Sequence, residues 1–153
     1  MKKYLKIAAI VVLAALVIIQ FIPVNYPENV SPNPGDIIEN GVATAEIGAI
    51  LKTSCYDCHS NQVVYPWYSK VAPVSWLLKK DITEGKDELN FSEWTTYNKR
   101  RMLKKLDEVK EMVEEDEMPL GIYTFIHGDA KLSETQKQQL IEWVDATTAS
   151  IME

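Results

Sequence analysis

The sequence predicts an all-α domain behind a single N-terminal membrane-spanning helix. Three observations carry that expectation. A basic start, Met1 to Lys6, leads into an apolar run from Ile7 to Ile22 in which Gln20 is the only polar residue. Beyond residue 35 the chain shows helix caps and apolar residues three and four apart, without convincing strand alternation. Between these regions, Pro23 to Gly35 holds prolines at 23, 27, 32 and 34. The chain therefore divides into a membrane anchor at 1–22, an extended proline-rich tether at 23–35 and a domain at 36–153.

The anchor reads as follows. An apolar helix from Ile7 to Ile22 reaches about 24 Å, a little short of a ~30 Å hydrocarbon core; Tyr4 and Leu5 extend it, and Lys6 can snorkel to the headgroups. A cleaved export signal is the alternative. It needs small residues just before the cut, and the exit Phe21-Ile22-Pro23-Val24-Asn25-Tyr26 offers none, so an uncleaved anchor is expected. Lys2, Lys3 and Lys6 stand before the run and no lysine closely follows it. That bias places the N-terminus in the cytoplasm and the domain in the periplasm or another extracytoplasmic space. A buried core helix would need a polar face, which this segment lacks.

The formal charge of −6 understates how acidic the rest is. With three lysines before the apolar run and every acid after it, residues 23–153 carry thirteen cations against twenty-two acids, a charge of −9. Such a domain is repelled by nucleic-acid phosphates and by anionic headgroups, which argues against a nucleic-acid partner and for a basic patch on a protein.

Within the domain, Thr44 caps a short helix with Ile47, Ile50 and Leu51 on one face, running into Cys55. Pro73 suits the first turn of a second helix, with Trp76, Leu77 and Ile82 inward and Gly85 as its stop. Ser92 is the expected cap of a longer third helix in which Trp94, Met102, Leu106, Val109 and Val113 recur at helical spacing. That helix is basic early, from Lys99 to Lys105, and acidic late, from Asp107 to Glu117, opposing the macrodipole. Lys104–Glu108 and Lys110–Glu114 pairs offset part of the cost, and the charges read as a solvated face. Ser133 with Gln136 forms a capping box for the last helix, whose Leu140, Ile141, Val144 and Ile151 face inward.

The chain has two cysteines, and they stand together in Cys55-Tyr56-Asp57-Cys58-His59. This is the pattern of c-type haem attachment. Two thiols separated by two residues at a helix end can each add to one vinyl group on the same porphyrin edge. The adjacent imidazole then falls under the iron. Assembly of that kind takes place outside the cytosol, in agreement with the export signal. Three other readings compete: a thioredoxin-type CxxC, which needs a βαβ context; a zinc site from Cys55, Cys58, His59 and His127; and a plain tight disulfide. The convergence of pattern, export and helical context favours one covalently held haem c with His59 as an iron ligand.

The sixth ligand is expected from the irregular stretch after the third helix. Met118, followed by Pro119, is the favoured candidate; His127 is the alternative, and an open site is the third possibility. Met102 and Met112 read as core. Tyr65, Trp67, Tyr68, Trp76, Trp94 and Tyr97 read mostly as core too, with Trp67 a candidate indole donor to a haem propionate.

Several segments in order carry a resemblance: Cys55-Tyr-Asp-Cys-His-Ser60, Tyr65-Pro-Trp-Tyr68, Ala72-Pro-Val-Ser-Trp76, Leu89-Asn-Phe-Ser-Glu-Trp94, Glu117-Met-Pro-Leu120 and Ala130-Lys-Leu-Ser133. Over roughly residues 45 to 147 the chain resembles the bacterial haem-binding domain family, itself similar to cytochrome c. The resemblance implies a cytochrome-c-like helical fold around one haem c, with His59 as axial ligand and Met118 opposite. Where that family often has a histidine, this chain has Asp81, so a histidine there is not an essential ligand. The expected function is one-electron transfer to redox partner proteins, and a peroxidase-like haem enzyme or a haem sensor with an open distal position is the alternative.

Overall fold

A computed structural model describes all residues 1–153. It is all helical. The first helix, α1 (Lys2–Ile18), runs into a 3₁₀ turn at Ile19–Phe21, and no residue of either is buried. By length and composition this segment is sufficient to cross a membrane.

The domain is built from α2 (Ala45–Ser54), the single turn α3 (Tyr56–His59), α4 (Val74–Glu88), α5 (Lys99–Glu114), the short α6 (Gly121–Ile126) and α7 (Glu134–Met152). Three 3₁₀ turns, at Trp67–Lys70, Phe91–Thr96 and Gly128–Ala130, join them. The two longest helices of the domain, α5 and α7, pack on each other; α2 joins α7 to α3, and α3 lies against α4. The main core gathers Ile37, Leu51, Phe91, Trp94, Leu106, Leu140 and Val144. A smaller cluster of Val63, Tyr68, Leu78 and Ile82 fills the space between α4 and the loop before it.

Local signals hold well at α2 and α7. The Thr44 hydroxyl accepts the Ile47 N–H, and Ser133 with Gln136 forms both bonds of the expected capping box. Two helix boundaries differ from expectation. The helix starting after Pro73 does not stop at Gly85 but runs on to Glu88. The third helix is not capped by Ser92: Asn98 caps α5 by accepting the Arg101 N–H, and Phe91–Thr96 is a separate 3₁₀ turn whose Trp94 goes into the core. The inward face of α4 is also shifted. Ser75, Leu78 and Ile82 are buried, while Trp76 and Leu77 are exposed.

The charged face of α5 is only partly solvated. Lys104 pairs with Glu108 at 3.0 Å as expected. Lys110 does not pair with Glu114; it reaches Asp145 on α7 at 2.7 Å, because the packing of the two helices brings a carboxylate closer. Lys105 is buried, with its ammonium between Glu88 at 3.0 Å and Glu108 at 2.6 Å.

Residues 23–35 contain no helix, and they lie along the domain. The Val30 N–H donates to Asn61 O at 3.1 Å, and the Asn29 amide exchanges bonds with the Val63 backbone at 2.8 and 2.9 Å. Asp36 follows, almost fully buried.

Candidate cofactor site

One wall of the site is the Cys55–His59 turn. α2 ends by giving the Leu51 carbonyl to the Cys55 N–H at 2.9 Å, and the Cys55 carbonyl in turn accepts from Cys58 and His59 at 3.1 and 2.9 Å. That geometry closes α3 as a single turn. The two residues between the cysteines anchor it from opposite sides. Tyr56 points inward, 3% exposed, donates to Asp36 Oδ1 at 2.9 Å and stacks on Phe91 with ring centroids 5.7 Å apart. Burial, then the Asp36 carboxylate, push the Tyr56 phenol well above its ordinary pKa. Asp57 points the other way, accepting the Val64 N–H at 3.0 Å and the Tyr123 hydroxyl at 2.8 Å.

α4 crosses this turn at Gly85. A Cβ there would stand 2.8 Å from the Cys58 carbonyl oxygen, closer than packed atoms tolerate, so only glycine allows the approach. This explains why α4 continues through Gly85: the residue serves contact with α3, not termination.

His59 is oriented from behind. Its Nδ1 lies 3.0 Å from the carbonyl of Leu89, the residue just past α4. A carbonyl only accepts, so Nδ1 carries the proton and Nε2 keeps the lone pair free for a metal. Burial holds the imidazole below its ordinary pKa, which favours the neutral, ligating form. The cysteines are not joined to each other. Burial pushes both thiols up to about 12, helped for Cys55 by Cys58 and for Cys58 by Asp57 and Asp81.

The facing wall is made by the chain after α5. Asp116 takes a positive φ of 59°, and the Glu117 and Met118 N–H groups both donate to Met112 O, at 2.9 and 3.1 Å. The reversal carries Met118 and Pro119 over the Cys55–His59 turn. Between the walls lie two adjoining cavities of about 280 and 410 Å3, both lined by Cys55, His59, Glu88, Met118 and Pro119. The smaller also touches Cys58, Asp81, Gly85 and Tyr123, and has an acidic rim. The larger is more apolar, with Leu89, Phe91, Val109, Met112 and Leu132. Their combined size falls within the ~300–1,000 Å3 of small-molecule and cofactor sites.

A family described as a haem-binding domain matches residues 14–146. The chain belongs to this haem-binding domain family. Comparison with curated proteins and with solved structures finds no match. The cleft of this haem-binding domain suits its cofactor by the chemistry of its donors: paired thiols and an imidazole with a free Nε2 on one wall, a thioether on the other, and apolar side chains between. No three of its His, Cys, Asp and Glu side chains converge as ligands for a bare metal ion, so the four-ligand zinc arrangement is not formed.

Of the candidates read from the sequence, Cys55, Cys58, His59 and Met118 come together at the cleft. His127 and Trp67 do not. His127 lines neither cavity; it stacks on Tyr123 and its Nε2 lies 2.7 Å from the Tyr68 hydroxyl. Trp67 also lines neither cavity and is 79% exposed. Sequence reasoning missed Lys105, the only lysine or arginine on the lining of either cavity, together with Met112 and Tyr123. The signal for Lys105 was present. It falls in register with Met102, Leu106 and Val109, so a lysine occupied a core-facing position of α5.

Proposed function

We propose that the chain is a membrane-anchored, mono-haem c-type cytochrome carrying out one-electron transfer on the extracytoplasmic side, with a cytochrome-c-like domain. The observation that carries this reading is the meeting of Cys55, His59 and Met118 on the lining of the same two cavities, with Cys58 beside them. Bound haem would supply a one-electron iron couple and two vinyl groups able to take up the thiols as thioethers. Cys55 and Cys58 would hold the group covalently, and His59 would offer it Nε2, with the ring orientation set by Leu89. Met118 offers a soft thioether from the other wall, while Phe91, Val109 and Leu132 exclude water. Lys105, paired with Glu88 and Glu108, is the one cation on the cavity lining and would be the charge available to a haem propionate, whereas the exposed Trp67 lines neither cavity.

With His59 and Met118 both holding it, haem iron would change charge with little exchange of ligands, which favours electron transfer over substrate chemistry. A haem enzyme or sensor would want a polar group above an open distal position, and the candidate for it, His127, is engaged by Tyr68. The uncleaved anchor and outward-facing domain rest on the apolar Lys2–Phe21 helix and the lysines before its span.

The test is haem staining after denaturing electrophoresis of the full-length protein. Stain is expected in the unmodified chain and absent when Cys55 and Cys58 are both changed to Ala. Loss of haem from the unmodified chain on denaturation would overturn covalent attachment. Ready binding of carbon monoxide by the reduced protein would move the open-site reading ahead.

A further inference from the structure

Gln20 is the one polar side chain in the apolar run Ile7–Ile22, and it stands at the outer end of the anchor helix. A side-chain amide at the boundary of a bilayer needs partners, because hydrocarbon offers none. Its Nε2 donates to Leu16 O at 2.7 Å within its own helix and to Ala72 O at 3.0 Å, and its Oε1 accepts the Ala72 N–H at 3.0 Å. Every bond it makes outside its helix therefore goes to one residue of the domain. A few residues on, the Tyr26 hydroxyl lies 2.8 Å from Ser69 O and 2.9 Å from Ser75 O, on either side of Ala72. The end of α1 is clasped to the domain at this loop, and Ala72 stands level with the last turn of the anchor.

The neighbours of Ala72 are unusual for a face meant for water. Trp67 is 79% exposed, and Val71 and Val74 are 40% and 41% exposed. Tryptophan beside aliphatic side chains is the composition of a membrane–water interface. Charge gives an independent sign. Although residues 23–153 sum to −9, no acid occurs from Cys58 to Lys80, and that stretch holds Lys70, Lys79 and Lys80, all exposed. An acidic domain is repelled by anionic headgroups unless it turns such a face toward them.

We propose that the Trp67–Lys80 surface rests on the bilayer itself, clasped to the anchor by Gln20, with phospholipid headgroups as its partner. The inference rests on the reading that α1 spans a membrane. It gives Trp67 and the surrounding aliphatics a role that the cofactor cleft does not. It also couples that face to the cleft through α4, in which Gly85 lies about 16 Å along the helix from Val74. The domain then rides on the membrane in one orientation and does not swing on a tether.

The experiment uses the full-length haem-loaded protein in phosphatidylglycerol–phosphatidylcholine vesicles containing a phospholipid with a photoactivatable group near its headgroup. Adducts are mapped by mass spectrometry. They are expected on α1 and on the Trp67–Lys80 segment. Gln20→Ala should leave flotation with vesicles, haem content and α1 adducts unchanged while reducing Trp67–Lys80 adducts several-fold. In floating protein, adducts confined to α1 overturn the proposal and leave the anchor intact; the face is then free or covered by a protein. Failure to float overturns the spanning reading, and the proposal with it.

Discussion

The wall that carries Cys55, Cys58 and His59 is gripped from three sides, whereas the wall that carries Met118 is held chiefly by its own backbone. Tyr56 and Ser60 are buried at 3% and 0% exposure, Asp36 bonds Tyr56 from behind, and α4 presses on Cys58 at Gly85. Across the cleft, α6 contributes no buried residue, and Ile122, Phe125 and Ile126 are exposed. What fastens that side is the Met112 carbonyl and two side-chain links, Tyr123 to Asp57 and His127 to Tyr68. Few buried contacts mean a low cost of local opening, so the Met118 wall should yield first under stress. If His59 and Met118 are the iron ligands, as proposed, the pair would be of unequal permanence, with His59 on the wall that stays put.

The largest expected effect tests which side chain completes that pair. Met118→Ala should abolish the near-infrared sulfur-to-iron band of the oxidised protein and lower the reduction potential, because a thioether favours ferrous iron. His127→Ala should leave the band in place. The reverse pattern in absorption spectra would assign the distal position to the histidine.

The grip on the proximal wall is tested by Gly85→Ala. A methyl 2.8 Å from the Cys58 carbonyl must push α4 from α3. The expected loss is about 1–3 kcal/mol in denaturant unfolding, the usual cost of overpacking. No change in the midpoint would show that α4 adapts easily there.

In the haem-free protein the same wall should respond to alkali. The thiols of Cys55 and Cys58 ordinarily titrate at 9.0 and are pushed up to about 12, so above pH 9 the folded state holds protons that the unfolded state has released. Stability is then full below pH 9 and falls as pH rises toward 12, by up to about 1.4 kcal/mol per pH unit per thiol. Unfolding curves on haem-free protein across that window check it, and replacing both cysteines with alanine should flatten the dependence.

The smallest effect probes the link between the walls. Tyr123→Phe deletes the bond to Asp57 and should cost about 1 kcal/mol. Hydrogen exchange should quicken in residues 118–127 and stay unchanged in residues 54–60; equal loosening of both would mean the walls open as one unit.

The sequence by itself determined what contiguous residues can encode. The apolar run of α1, the Cys55–His59 turn, the Thr44 cap and the Ser133–Gln136 box each depend on neighbours a few positions apart, and the structure forms the two caps as the residues dictate. Tertiary structure alone decided the rest, because it depends on which segments meet. The stop expected at Gly85 gives way to a close contact with Cys58, and Lys105, whose register on α5 already pointed inward, finds its partner Glu88 on another helix. Trp67 and His127 carry chemistry suited to a haem pocket, yet the paths of the 3₁₀ turn before α4 and of α6 take them elsewhere. A side chain's type is local information, whereas the surface it faces is set by the packing of distant helices, and that packing brought Met118 to the same cleft as His59.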